Sequence, residues 1–246
     1  MMYPSIHQTL QLYRQKGTFN ACLHIEHLSL EKLQNLQAQC LHPNELTYFN
    51  TLPAARRQHS YLLGRYAGKS AIAGYLQETD LRRIEIKPGV FEQPIVLHPR
   101  SNNVQLTISH SGSWGMALAF PEAHPMGIDV EDLNADAALN TIVPLSGQEQ
   151  KAIAALPYPP NERMILVWTI KEALSKVFRT GLTADLSIYE LDLVQQDSQG
   201  IITTTYKHFM QYRAMSWIAQ GHAWSLVLPR KTTCDISGVV RQLTAK

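Results

Sequence analysis

The chain has 246 residues, 45% hydrophobic and 17% charged, with mean hydropathy −0.17; this is a globular composition that excludes a disordered, fibrous or collagenous chain. A formal charge of +2 is too small for a general nucleic-acid binder, no apolar run approaches the ~18 residues of a membrane span, and residues 1–17 lack the apolar core of a secretory signal. Three widely spaced cysteines, Cys22, Cys40 and Cys234, without a CxxC pair, argue against a disulfide framework or structural zinc and for a reducing cytoplasm.

In chain order, a strand is predicted near residues 21–27, then short helical segments at 31–37 and 44–51. A longer helix follows over 55–76, with Leu62, Leu63, Tyr66, Ala67 and Ile72 near helical spacing and Pro53 ahead of its start. Strand-like runs come at 83–87, 104–109 and 114–120, with Gly112 between the last two as in a hairpin. The second half repeats the order: a helix over 161–179, then strands at 187–194, 201–206, 213–218 and 223–228, with a turn at 196–200. Helix followed by strands, twice, predicts an α+β fold of two similar halves, 1–120 and 121–246. The stretch 132–160, with Pro144, Gly147 and the run Pro157-Tyr158-Pro159-Pro160, is expected to be a variable connection outside any core. Residues 1–120 carry 11 Lys and Arg against 7 Asp and Glu, and residues 121–246 carry 11 against 13. A basic half joined to an acidic half suits an anionic ligand at the seam with a metal opposite.

Four groups of residues carry chemistry. In Gly127-Ile128-Asp129-Val130-Glu131, read as a strand, Asp129 and Glu131 share a face about 7 Å apart at Cα, a grip for a hard cation such as Mg²⁺ or simply the wet face of a half-buried strand. In Trp168-Thr169-Ile170-Lys171-Glu172-Ala173-Leu174-Ser175-Lys176, helical spacing gathers Leu166, Val167, Ile170, Leu174 and Val177 on one face. Ile165, Trp168, Glu172, Lys176 and Arg179 fall on the other. Two large apolar residues there imply partial cover, so the Glu172 and Lys176 charges need each other, a metal or an anion; the plain alternative is a solvated i,i+4 pair worth about 0.2–0.5 kcal/mol. Ser109-His110-Ser111-Gly112, at a strand end, suits a phosphate cradle. Arg56, Arg57 and Arg65, with Lys69, suit phosphate oxygens or form a solvated helix face.

The order and spacing of Ser109-His110-Ser111-Gly112, Gly127-Ile128-Asp129 and Trp168-Thr169-Ile170-Lys171-Glu172-Ala173-Leu174-Ser175-Lys176 resemble the signature of the 4′-phosphopantetheinyl transferases, in the long, Sfp-type branch with its Trp/Lys-Glu-Ala variant. Gln93-Pro94, after Gly89, sits where a Gly-Lys-Pro element is common. The resemblance spans roughly residues 43–181 and implies a pseudo-twofold monomer of two α+β halves, each a long helix on a small, mainly antiparallel sheet. The N-terminal half would grip coenzyme A, and the C-terminal half would carry the metal carboxylates and catalytic helix. It implies Asp129, Glu131 and Glu172 as Mg²⁺ ligands and Asp129, Glu172 and Lys176 as catalytic residues. Coenzyme A would be bound by Ser109, His110, Ser111, Arg57, Arg65, Gln93, Pro94 and Lys176. The chain departs from the family pattern in Met126, a volume-conserving change, in Glu92-Gln93-Pro94, which lacks the lysine and glycine, and in Tyr48, which takes the place of a basic residue.

The implied reaction moves 4′-phosphopantetheine from coenzyme A to a serine of an apo acyl or peptidyl carrier protein, releasing adenosine 3′,5′-bisphosphate. Glu172, directly or through a water, is the preferred base. The partners are then coenzyme A and a carrier protein, with no nucleic acid and no membrane, in the cytoplasm. Two other readings use the same residues: a Mg²⁺-dependent coenzyme A diphosphate hydrolase, and a non-catalytic module that binds coenzyme A or the carrier.

Overall fold

The computed structural model describes residues 3–101, 103–134 and 143–245. Contacts divide them into two compact units that meet in sequence between Ala123 and His124, with Tyr13–Lys16 grouped with the second. The fold is α+β, and each unit packs a long helix on an antiparallel sheet.

In the first unit come strands β1 (Ile6–Arg14) and β2 (Gly17–His27), then helices α1 (Leu30–Cys40), α2 (Pro43–Phe49) and α3 (Ala55–Leu76). The hairpin of β3 (Glu85–Pro88) and β4 (Pro94–Leu97) follows, then β5 (Val104–Ser111) and β6 (Trp114–Pro121). The main sheet has the order β1-β2-β6-β5. Ala67, Ala71 and Ile72 of α3 are buried against Leu106, Ala117 and Ala119; small side chains on both partners let the helix lie close to the sheet.

The second unit has β7 (Gly127–Asp132), α4 (Gly147–Ala154), α5 (Pro160–Phe178), β8 (Leu191–Gln196), β9 (Ile202–Tyr206), β10 (Tyr212–Ala219), β11 (His222–Pro229) and α6 (Ser237–Thr244). Its sheet runs β7-β11-β10-β9-β8. Leu166, Val167, Ile170, Ala173 and Leu174 of α5 are buried with Tyr206, Ala214, Ala223 and Val227 of the strands, each large side chain contributing about 1.5–3 kcal/mol.

Three expectations are corrected. The stretch 132–160 is not merely a connection outside the core. Residues 135–142 of it lie outside the described residues, but α4 is a capped helix, and Val143, Ile153 and Leu156 join the second core. The strands expected at 83–87 and 187–194 each open with a 3-10 turn, Leu81–Arg83 and Leu186–Tyr189, whose first N–H groups an Asp side chain caps. Strands β1 and β4 and helix α6 complete the fold beyond the elements anticipated.

The common plan reaches single hydrogen bonds. In α2, Glu45 accepts the His42 N–H at 2.9 Å, forms a buried ion pair with Lys69 of α3, and accepts the Ile86 N–H at 2.9 Å, 41 residues on. In α4, Glu149 accepts the Ser146 N–H at 2.8 Å, pairs with buried Lys171 of α5 at 2.8 Å, and accepts the Leu191 N–H at 3.0 Å, 42 residues on. Each lysine also donates to the carbonyl two residues before the helix cap, Lys69 to Cys40 at 2.8 Å and Lys171 to Pro144 at 3.2 Å. Both long helices end on a left-handed residue, Gln77 (φ 54°) and Arg179 (φ 58°).

Candidate active site

Glycine sets the geometry. A Cβ at Gly127 would overlap the Ala173 carbonyl oxygen and stand 3.0 Å from Val177 Cγ2, so only glycine lets β7 lie this close to α5. Side chains alternate along a strand, so Asp129 follows Gly127 on the helix-facing side. There Lys176 Nζ donates to Asp129 Oδ1 at 2.7 Å. Asp129 is 5% exposed and Lys176 partly buried, so this charge-assisted bond is shielded from water.

One turn before Lys176, Glu172 is also buried, and its Oε1 has no hydrogen-bond partner. Burial, reinforced by the negative charges of Asp129 and Glu131, raises its pKa to about 7, with Lys176 pulling the other way. Glu131 is half-buried, and its Oε1 accepts the Asp132 N–H at 3.2 Å. The second unit therefore brings Asp129, Glu172 and Lys176 together, with Glu131 near enough to act on Glu172 electrostatically.

Among the described residues, no group of three or more His, Cys, Asp or Glu side chains forms a ready-made metal cage. A bare cluster of carboxylates repels itself; here Lys176 pairs with Asp129, and the raised Glu172 pKa favours its protonated form relative to an ordinary carboxyl. The donor set nevertheless fits a hard divalent cation: the oxygens are carboxylate, and Glu172 Oε1 is buried and unpartnered.

In the first unit, Ser109 and Ser111 are buried on one face of β5, and His110, on the other, is exposed beside Gly64 of α3. The alternation of the strand thus splits the predicted serine–histidine cradle. Arg57 is exposed near the start of α3. Arg65 lies 3.4 Å from Glu45 and over the Tyr61 ring at 4.5 Å. Gln93 Oε1 accepts the Phe91 N–H at 2.9 Å, closing its own loop, and Pro94 opens β4 opposite Pro88.

Residues that the sequence reading passed over also shape the site. Lys171, beside Glu172, is wholly buried in its pair with Glu149. Thr169, Ser216 and Ser225 are buried on the site's side of the sheet. The Ser-x-x-Glu capping signal of Ser146 and Glu149 was readable in sequence, whereas the three hydroxyls gave no signal.

Residues 125–227 match the family model of the 4′-phosphopantetheinyl transferase superfamily. That span contains Asp129, Glu131, Glu172 and Lys176; the first-unit residues lie outside it. No curated protein matches the chain. Among solved structures, a holo-(acyl-carrier-protein) synthase from Bacillus anthracis in complex with CoA (3′,5′-ADP) is 20% identical, covering 45% of this chain and 96% of that one, with TM-score 0.36. A holo-ACP-synthase from Plasmodium yoelii is 21% identical over 40% and 91% of the two chains, with TM-score 0.34. The synthase from Thermotoga maritima is 17% identical over 51% and 78%, with TM-score 0.33. No helix among the described residues is long and apolar enough to cross a membrane.

Proposed function

We propose that the protein transfers 4′-phosphopantetheine from coenzyme A to a serine of an acyl or peptidyl carrier protein, as a member of the long, Sfp-type branch, with Mg²⁺ as cofactor. The observation that carries this reading is the buried Glu172 carboxyl, with an unpartnered oxygen, beside the Asp129–Lys176 pair. Asp129, Glu131 and Glu172 would hold the ion, which when bound neutralises the diphosphate of coenzyme A and so makes its phosphorus open to attack.

Lys176 does two things. In the free protein it donates a hydrogen bond to the buried Asp129 carboxylate, and with substrate present its ammonium offsets charge gathering on the leaving phosphate. Its partly exposed side chain leaves it able to exchange the carboxylate for a phosphate oxygen. Gly127 holds the strand against the helix, so these groups are placed before substrate arrives. We assign the grip on coenzyme A to the first unit, with His110 and Arg57 the exposed members of the expected set.

Intact-mass spectrometry of purified apo-carriers incubated with the protein, coenzyme A and Mg²⁺ tests the proposal. A carrier that gains one phosphopantetheine supports it. Breakdown of coenzyme A without a modified carrier would assign the site to hydrolysis instead. Binding of coenzyme A with no chemistry would mark a binding module.

A further inference from the structure

The second unit buries three hydroxyls in a row beside its carboxylates. Thr169 of α5, Ser216 of β10 and Ser225 of β11 are fully buried. Thr169 Oγ1 donates to the Leu166 carbonyl at 2.9 Å and lies 2.8 Å from Ser225 Oγ, which lies 2.8 Å from Ser216 Oγ. Each hydroxyl has one proton. That of Thr169 goes to Leu166, so Ser225 donates to Thr169 and Ser216 donates to Ser225. The chain has one direction, from sheet to helix.

Its place is specific. Ser225 stands directly opposite Asp129 in the β7–β11 ladder, so the two side chains project from the same face. Thr169, Glu172, Ala173 and Lys176 fall at the i, i+3, i+4 and i+7 positions of one helix stripe. The hydroxyl row therefore ties the stripe that carries Glu172 and Lys176 to the strand that neighbours Asp129.

The first unit is an internal control. In both units a two-residue turn joins the two strands, and its closing pair is Ser111–Trp114 in one and Ala219–His222 in the other. Counting from those pairs, Ser216 and Ser225 correspond to Ile108 and Ala117; counting from the buried lysines, Thr169 corresponds to Ala67. All three counterparts are apolar, and the residue opposite Ala117 is His24, not an acid. Hydrocarbon alone thus suffices to dock the long helix on the sheet. The lysine–glutamate pair occurs in both units and belongs to the fold, whereas the hydroxyl row occurs where the carboxylates are.

We infer that Thr169, Ser225 and Ser216 are positioning residues that fix the rotation and slide of α5, so that Glu172 and Lys176 meet Asp129 in one geometry. This rests on the proposed transfer reaction. Apolar packing leaves a helix free to rotate slightly or slide, but directed hydrogen bonds do not, and a reacting array tolerates only small misplacement.

The test uses Thr169→Val, Thr169→Ser and the triple change Thr169→Ala/Ser216→Ala/Ser225→Ala, which leaves no hydroxyl orphaned and approaches the first unit's composition. Three quantities are measured: carrier-modification kinetics with coenzyme A, Mn²⁺ affinity by the free-ion electron spin resonance signal, and the thermal midpoint. Thr169→Ser is expected to match the wild type. Thr169→Val and the triple variant are expected to lose about tenfold or more in kcat and severalfold in Mn²⁺ affinity, with KM for coenzyme A unchanged and the triple variant still folding cooperatively. If the triple variant folds and keeps both kcat and Mn²⁺ affinity, the inference is overturned while the proposed function stands. If the wild type neither modifies a carrier nor binds Mn²⁺, the functional reading falls and takes the inference with it.

Discussion

In the first unit the residue after the buried lysine is Ser70, the residue one turn further is Gly74, and the strand position opposite Ala117 is His24. In the second unit the same places hold Glu172, Lys176 and Asp129. Around them the fastenings are alike, from the capping boxes of α2 and α4 to the two Lys–Glu pairs. The first unit keeps only one acid in its version of that place: Glu26 stands opposite Gly115 as Glu131 stands opposite Ala223, and His24 lies 3.2 Å from His7 and 3.4 Å from Glu26, whose pKa burial raises. One scaffold thus appears twice, and only one copy gathers three carboxylates. Fold and chemistry are separable in this chain, and substitutions can address each alone.

The largest effect is expected at the charges themselves. Asp129→Ala and Glu172→Gln should each lower carrier modification at least about a hundredfold with the unfolding midpoint little changed, because each removes an ionisable group that costs energy to bury. Ser70→Ala, at the counterpart of Glu172, should leave the rate unchanged. Normal turnover by either second-unit variant in an apo-carrier assay would refute the assignment of chemistry to that unit.

Next come the shared fastenings, where the two units should differ in degree. Lys171→Met strands the buried Glu149 carboxylate and should cost about 3–5 kcal/mol in urea unfolding, whereas Lys69→Met leaves Glu45 beside Arg65, 3.4 Å away, and should cost less. Adding Glu149→Gln or Glu45→Gln should recover most of the loss, since the amide oxygen still accepts a backbone N–H. A pair that proves silent in one unit would show that the repetition there is only of form.

A smaller effect separates two glycines of the second unit. Gly127→Ala forces β7 off α5 and should cost about 1–3 kcal/mol, with a larger fractional loss of transfer than of stability. Gly147→Ala, where a Cβ meets nothing within 4 Å, should be neutral or slightly stabilising in the same assays.

Much of this was legible in the sequence, and the exceptions have physical causes. The long helices, the hairpin at Gly112 and the order of the Ser-His, Gly-Ile-Asp and Lys-Glu-Ala elements were readable because period and spacing encode them. The roles of the two helix lysines were not. Helix α5 is buried nearly all round from Ile165 to Ser175, so periodicity could not say that Lys171 turns inward to Glu149 while Lys176 reaches Asp129. Thr169 and Ser225 read as ordinary small residues, because a buried hydroxyl row exists only once strand register is known. Strand β1 did leave a signal, with Ile6, Leu10 and Leu12 buried on alternate positions, but polar residues between them diluted it. Gln93 stood at a ligand-binding place by resemblance, yet its carboxamide serves its own loop.

The subtlest contrast lies in proton linkage within the second unit. Burial raises the Glu172 pKa to about 7 from an unfolded value near 4.5. Between those pH values the folded state holds the extra proton, so this group adds stability as the solution is acidified. His124 is buried with Nε2 2.7 Å from Thr232 Oγ1, and burial lowers its pKa to about 4 from 6.5. Between 6.5 and 4 the unfolded state holds the extra proton, so His124 removes stability over nearly the same window. In chelator the two oppose each other from about pH 6.5 to 4.5. Relative to wild type, Glu172→Gln should make stability fall more on acidification, and His124→Gln should make it fall less. Urea midpoints across that range decide it: parallel curves for the two variants would mean that neither group is perturbed as its surroundings dictate. Mg²⁺ should weaken the acid-side gain of His124→Gln, because an ion held by Glu172 competes with its proton.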